Sequence, residues 1–294
     1  MKYSVFDTHC DTLSALADGG GSFDKNTYNV DLERMERYES YTQVMACFIS
    51  PEHKRRAKKR TLDLIKTYKT RVAPLVKDSE SVKTILSIEG GEGIDSIMTL
   101  RRFHLLGVRL IALTWNFKNH LASGADAAEG GVTPFGRRVI RKMNDFDIFL
   151  DVSHLNDHSF YDAAECTALP IIASHSCSRS VRAHRRNLTD DMFKIIMRSG
   201  GCVGINLYAK FLTESDYAEV DDVVKHIEHF MSLGGENHIG MGCDFDGVEN
   251  HLPRGIRGCA DLYKIFDRLL QLNYSEEQVN KISRANFERV FEKY

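Results

Sequence analysis

The sequence predicts an α/β protein folded as a (β/α)8 TIM barrel, and three observations lead there. Eight short apolar runs recur along the chain, around 4–8, 42–49, 84–89, 108–114, 148–153, 170–174, 201–207 and 238–243. Amphipathic helical patterns separate most of them. Five of the eight runs end in residues able to bind metal: His9 with Asp11, Glu89, His154, His175, and Asp244 with Asp246. An open, doubly wound sheet would also alternate strand with helix. The barrel is preferred because it brings all of these polar tips to one mouth. A barrel takes about 250 residues, so the 294 residues fit a single catalytic domain spanning 1–294.

Taken in order, the first run is Ser4-Val5-Phe6-Asp7-Thr8, leading to His9-Cys10-Asp11. The second, 42–49, is followed by a helical stretch over 53–70 with Leu62, Ile65 and Tyr68 at helical spacing. This stretch opens with the basic run 53–60, read as a solvated helix face. The third run ends at Glu89 and is followed by a helix over 95–106, carrying Ile97, Leu100 and Phe103. The fourth to eighth runs alternate with helical patterns at 135–146, 157–168, 189–199, 217–233 and 259–271. A last amphipathic helix is expected over 276–292, capped by Ser275 with Glu276 and Glu277 in its first turn. Glycine-rich stretches at 19–22 and 123–136 read as loops near the mouth.

Composition narrows the function. Hydrophobic residues make up 43% and charged residues 27%, ordinary for a globular protein, and the net charge of -2 argues against a nucleic-acid binder. There is no apolar run long enough for a membrane span, and the N-terminus has no secretory pattern, so a soluble, cytoplasmic protein is expected. The seven cysteines are scattered without a CxxC pair and read as reduced thiols. Cys10, Cys177 and Cys243 beside the polar tips read as packing residues.

The tips carry the chemistry. His9 and Asp11 are two apart, which puts both on one side of a strand. Taken alone, a His-x-Asp would be a surface pair. Glu89 ends a buried strand, where an unpaired carboxylate is costly. Its two oxygens can bridge two cations. His154 and His175 end successive strands. The simplest arrangement is two ions, one held by His9, Asp11 and Glu89, the other by Glu89, His154 and His175. Such a pair can hold a bridging water and lower its pKa toward neutral, giving hydroxide for attack on a carbonyl. Asp244 is placed to move a proton, and Asp246 competes for that role. Asp151, three residues before His154, reads as structural or as a support for the ligands.

Taken together, these segments resemble the renal or membrane dipeptidase family, peptidase family M19, a branch of the amidohydrolase-like barrels. The resemblance rests on Phe6-Asp7-Thr8-His9-Cys10-Asp11-Thr12, Ile88-Glu89-Gly90-Gly91 and Thr133-Pro134-Phe135-Gly136-Arg137. It continues through Asp151-Val152-Ser153-His154, Ser174-His175-Ser176, 185–191 and Gly242-Cys243-Asp244-Phe245-Asp246-Gly247. It implies a zinc dipeptidase with two Zn2+ per chain bridged by Glu89 and a hydroxide. The ligands would be His9, Asp11, Glu89, His154 and His175. It implies hydrolysis of dipeptides, with a D-residue tolerated on the C-terminal side, Asp244 as the proton-handling acid and Arg186 on the substrate carboxylate. Tyr208 is a candidate pocket wall. A soluble, bacterial-type homodimer without nucleic-acid or membrane partners is the matching expectation. The chain departs from the pattern after Leu113-Thr114, where the animal enzymes carry a His and this sequence has Trp115. An indole N–H donates one hydrogen bond but carries no charge, so Trp115 bears on substrate range. Two alternatives remain: a hydrolase of the same type acting on another amide, lactone or ester, and a catalytically silent binding protein on this scaffold.

Overall fold

A computed structural model describes residues 2–248 and 251–291. Eight parallel strands close in sequence order into a barrel. They are β1 (Ser4–Cys10), β2 (Ser40–Phe48), β3 (Val82–Glu89), β4 (Val108–Ala112), β5 (Phe149–Asp151), β6 (Ile172–Ala173), β7 (Cys202–Ile205) and β8 (Ile239–Met241). All eight expected runs are present, but β4 to β8 are shorter than expected. Their ladders stop where side chains take over the backbone partners. The Asp151 carboxylate, for example, accepts the N–H groups of Ser153 (2.9 Å) and Ser174 (3.0 Å). His154, His175 and Asp244 therefore lie in the first residues of the loops after their strands.

The lower barrel is filled from seven of its eight strands. Phe6, Val44, Ile85, Leu110, Phe149, Ile172 and Cys202, one each from β1 to β7, form one apolar cluster with Phe287, Val290 and Phe291. The β8 position in this layer is Gly240, where a Cβ would lie 2.4 Å from the Phe287 ring. The missing side chain is what lets the C-terminal helix plug the barrel. Phe287 and Phe291 stack on Phe6 at centroid distances of 5.8 and 5.2 Å. Higher up, Thr8 Oγ1 lies 2.6 Å from the Ser174 carbonyl oxygen and 2.9 Å from that of Met241, and its one proton, shared between them, ties β1 to the far strands. Gly242 passes so close to this layer that a Cβ would sit 1.8 Å from the Ser174 carbonyl oxygen.

Several helices differ from expectation. Thr12–Gly19 is a helix the pattern did not announce, because only Leu13 and Leu16 form its buried apolar stripe. The stretch expected at 53–70 runs from Pro51 to Lys77 as a 3-10 turn, an α-helix, a π-turn and a further α-helical turn. The last helix is three pieces, Glu276–Asn280, a π-turn Lys281–Ala285 and Asn286–Phe291. The π-turn redirects the chain so that Asn286 Nδ2 reaches the Ile239 carbonyl (2.8 Å) and seats the plug. Position 292 of that expected helix lies outside the described residues. Ser275 caps as expected, accepting from the Gln278 N–H. The 123–136 stretch is a loop only to Thr133, which caps a helix beginning at Pro134. The loop packs on the mouth, with Ala125 N–H donating to the His154 carbonyl at 2.8 Å. Among the described residues, no helix is long and apolar enough to cross a membrane.

Candidate metal centre

Each polar tip is aimed by a local feature of its strand end. On β1 the register with β2 shifts between Asp7 and Cys10. The bulge bends the strand end and re-aims its side chains. Asp7 Oδ1 accepts the Cys243 N–H (2.9 Å) and the His9 N–H (3.3 Å), fastening this end to the loop after β8. His154 (φ 70°) and Asp244 (φ 60°) adopt left-handed conformations, uncommon for non-glycine residues and concentrated at functional sites. In that conformation both side chains turn inward over the barrel.

The five expected ligands converge. His9 Nε2 lies 3.4 Å from Glu89 Oε2, 3.5 Å from Asp11 Oδ2 and 3.7 Å from Asp244 Oδ1. On the other side, His154 Nε2 lies 2.7 Å and His175 Nε2 3.6 Å from Glu89 Oε1. The two imidazole Nε2 atoms are 2.7 Å apart. Glu89 thus divides its oxygens between two clusters, His9–Asp11–Glu89 and Glu89–His154–His175. All five side chains are buried.

The donor set suits a cation. His9 Nε2, Asp11 Oδ1 and Glu89 Oε2 are buried without hydrogen-bond partners. Burial pushes the Glu89 carboxyl up, with Asp11 and Asp244 adding to the rise. Burial alone would pull His9 down, but Glu89 and Asp11 outweigh it and raise it well above the usual histidine value. Burial drives His154 and His175 well below that value, so both imidazoles are neutral, as metal ligands must be. Three carboxylates and three histidines packed this closely are the nitrogen and oxygen set that zinc takes.

The centre floors a mouth cavity of about 860 Å³, lined also by Arg186, Trp115, Tyr208 and Phe48. Arg186 is buried, donates to the His175 carbonyl (3.4 Å) and keeps an unpartnered Nε. Trp115 packs between Phe48 and Phe117 at 5.6 Å from each. Of the two candidate acids, Asp244 approaches His9 and accepts from Asn206 Nδ2 at 2.9 Å. Asp246 accepts from Thr12 Oγ1 (2.6 Å) and the Asn29 N–H (2.7 Å), so its oxygens hold neighbouring segments. Burial raises the Asp244 carboxyl, the direction a proton carrier needs. Cys10, Cys177 and Cys243 are buried free thiols outside both clusters.

Sequence reasoning missed Asn116, Ser174 and Asn206, which back His154, His175 and Asp244. Ser174 lies within a quoted motif, Asn116 follows Trp115 and Asn206 lies near the end of the seventh apolar run; nothing else in the sequence pointed to their roles. It also missed Arg60, which joins the cavity wall in a bidentate pair with Asp18 (2.7 and 2.5 Å), although it ends the basic run read as solvated.

A closed parallel barrel of eight strands carrying this His–Asp–Glu mouth is a (β/α)8 fold. An amidohydrolase of Pseudomonas aeruginosa shares the fold at 20% identity, with a TM-score of 0.78 over 98% of this chain and 95% of that one. More particularly, the chain belongs to the membrane dipeptidase family (peptidase family M19), whose model matches residues 1–294. It is 33% identical over 229 residues to an uncharacterized dipeptidase of Schizosaccharomyces pombe, covering 74% of this chain and 54% of that protein. The chain thus spans about half the length of that curated relative. Dipeptidase AC, a metallopeptidase of family M19, superposes with a TM-score of 0.88 at 27% identity, covering 99% of this chain and 98% of that one. A metallopeptidase from Rhodobacter sphaeroides, liganded with a phosphinate mimic of the dipeptide L-Ala-D-Ala, gives 0.87 at 27% identity, covering 99% of each chain.

Proposed function

We propose that the protein is a zinc-dependent dipeptidase and that residues 1–294 act as one catalytic unit. The observation that carries this reading is the division of Glu89 between two buried clusters with unpartnered acceptor atoms. His9, Asp11 and Glu89 would hold one zinc, and Glu89, His154 and His175 the other. Bound there, zinc would supply Lewis acidity and a more acidic water beside the scissile carbonyl.

The chain's own residues do the rest. The Arg186 guanidinium presents a fork suited to the substrate's C-terminal carboxylate. That preference favours substrates with a free carboxylate, which every unblocked dipeptide carries. Asp244, which accepts a hydrogen bond from Asn206, would receive a proton at its carboxylate and pass it to the leaving amine. Trp115 and Tyr208 wall the cavity and shape which side chains enter. The dipeptide mimic bound by the Rhodobacter sphaeroides relative supports tolerance of a D-residue at the C-terminal position.

The test combines zinc content with turnover of L-Xaa-L-Xaa and L-Xaa-D-Xaa dipeptides, C-terminally amidated dipeptides and lactones, with and without chelator. About two zinc ions per chain and chelator-sensitive cleavage of free dipeptides are expected. Asp244→Asn is expected to keep its zinc and lose about 10²–10⁴-fold in kcat. Zinc binding with lactone turnover alone would replace the peptide substrate, and a chain that takes up no zinc would end the reading.

A further inference from the structure

The two histidines facing Glu89 Oε1 are each backed at Nδ1. His154 Nδ1 lies 2.7 Å from Asn116 Oδ1. His175 Nδ1 lies 2.7 Å from Ser174 Oγ, and the Ser174 hydroxyl donates to Asp151 Oδ2. The other Asp151 oxygen accepts the backbone N–H groups of Ser153 and Ser174 at 2.9 and 3.0 Å, so the carboxylate is pinned. Asp151, Ser174 and His175 are 3%, 0% and 1% exposed, so water does not compete for these bonds.

A hydroxyl has one proton. With that proton committed to Asp151, Ser174 Oγ can only accept from His175, which places the imidazole hydrogen on Nδ1 and a lone pair on Nε2. The opposite tautomer would put a hydrogen between the two Nε2 atoms, 2.7 Å apart, and fill the centre with a proton. We infer that Asp151, acting through Ser174, and Asn116, acting directly, are positioning residues. They hold His175 and His154 with hydrogen on Nδ1, so that both Nε2 lone pairs face Glu89 before a cation arrives. The position formed by Glu89, His154 and His175 is thereby preorganised for metal. The inference rests on the zinc reading above.

The experiment uses the full chain, metal-free and zinc-titrated. Zinc affinity is read by competition with a chromophoric chelator, and the histidine tautomers by imidazole 15N chemical shifts of the metal-free protein. Asp151→Asn keeps an oxygen for the two backbone N–H groups but turns an NH2 toward Ser174. The hydroxyl then donates to His175 Nδ1, and the imidazole hydrogen moves to Nε2. This variant is expected to bind one of its two zinc ions about 10–100-fold more weakly and to show the His175 tautomer change. Asn116→Leu is expected to weaken the same zinc, while Asn116→Asp, still an acceptor, keeps wild-type affinity. Ser174→Ala removes the relay and leaves Asp151 anchored; it serves as the second reading if Asp151→Asn does not fold. Wild-type zinc affinity and an unchanged His175 tautomer in Asp151→Asn or Ser174→Ala would overturn the inference. A wild type with hydrogen on His175 Nδ1 but no zinc uptake would sink the metal reading and leave the relay standing.

Discussion

His226 shows how one buried side chain can govern behaviour away from the mouth. It is fully buried, accepts the Ser178 N–H at Nδ1 and donates from Nε2 to the Leu212 carbonyl, each at 3.0 Å. Both ring nitrogens are used in the neutral form, and protonating Nδ1 would break the first bond. Burial accordingly pushes its pKa down to about 4. The unfolded chain takes up this proton near pH 6.5 and the folded chain only near 4, so the unfolded state binds more protons between them. His226 is therefore neutral toward stability above about pH 6.5, and destabilises the fold as pH falls from there to about 4. We predict that wild type loses about 2 kcal/mol more than His226→Gln between pH 7 and pH 5 in urea unfolding. Gln still offers one acceptor and one donor but does not titrate, so equal losses would refute the assignment.

At the scale of elements, the C-terminal helix Asn286–Phe291 closes the barrel. The plug depends on a large side chain, Phe287, entering opposite a strand residue with none, Gly240. Phe287→Ala would leave a cavity between Phe6 and Gly240 in the lower barrel, and we predict a loss of about 3–5 kcal/mol in denaturant unfolding. The candidate metal centre lies at the other end of the barrel, so zinc stoichiometry in the folded variant is expected to stay unchanged. A cost below about 1 kcal/mol would mean the helix does not carry the plug. The helical pattern at 276–292 announced an amphipathic helix but not the π-turn that aims it. A π-turn inserts an extra residue without any composition signal of its own.

The whole molecule is a closed barrel whose mouth gathers six ionisable groups from strands far apart in the chain. Packing buried acceptors together without a cation costs stability, and a bound cation offsets that cost. We predict that saturating zinc raises Tm by about 5 °C or more over the chelated chain, consistent with a few kcal/mol of linkage in a protein of this size. No shift on adding zinc to chelated protein would count against a centre built from these residues.

By itself the sequence determined the barrel and the residue types of its mouth. Apolar strand runs ending in His, Asp or Glu are a local pattern, and local patterns are written in consecutive residues. Thus His9, Asp11, Glu89, His154, His175 and Asp244 could all be named from their positions at strand ends. Only the tertiary structure decided how they meet. It separated Asp244 from Asp246 by which carboxylate is already engaged with Thr12 and Asn29. It brought Asn116 and Asn206 from neighbouring strand ends to back His154 and Asp244, and drew Arg60 out of a basic run into the cavity wall. These partners lie on different strands or helices, and the physical cause is barrel closure: it makes residues 38 apart, such as Asn206 and Asp244, neighbours. A one-dimensional pattern carries periodicity and burial, but not which loops share a mouth.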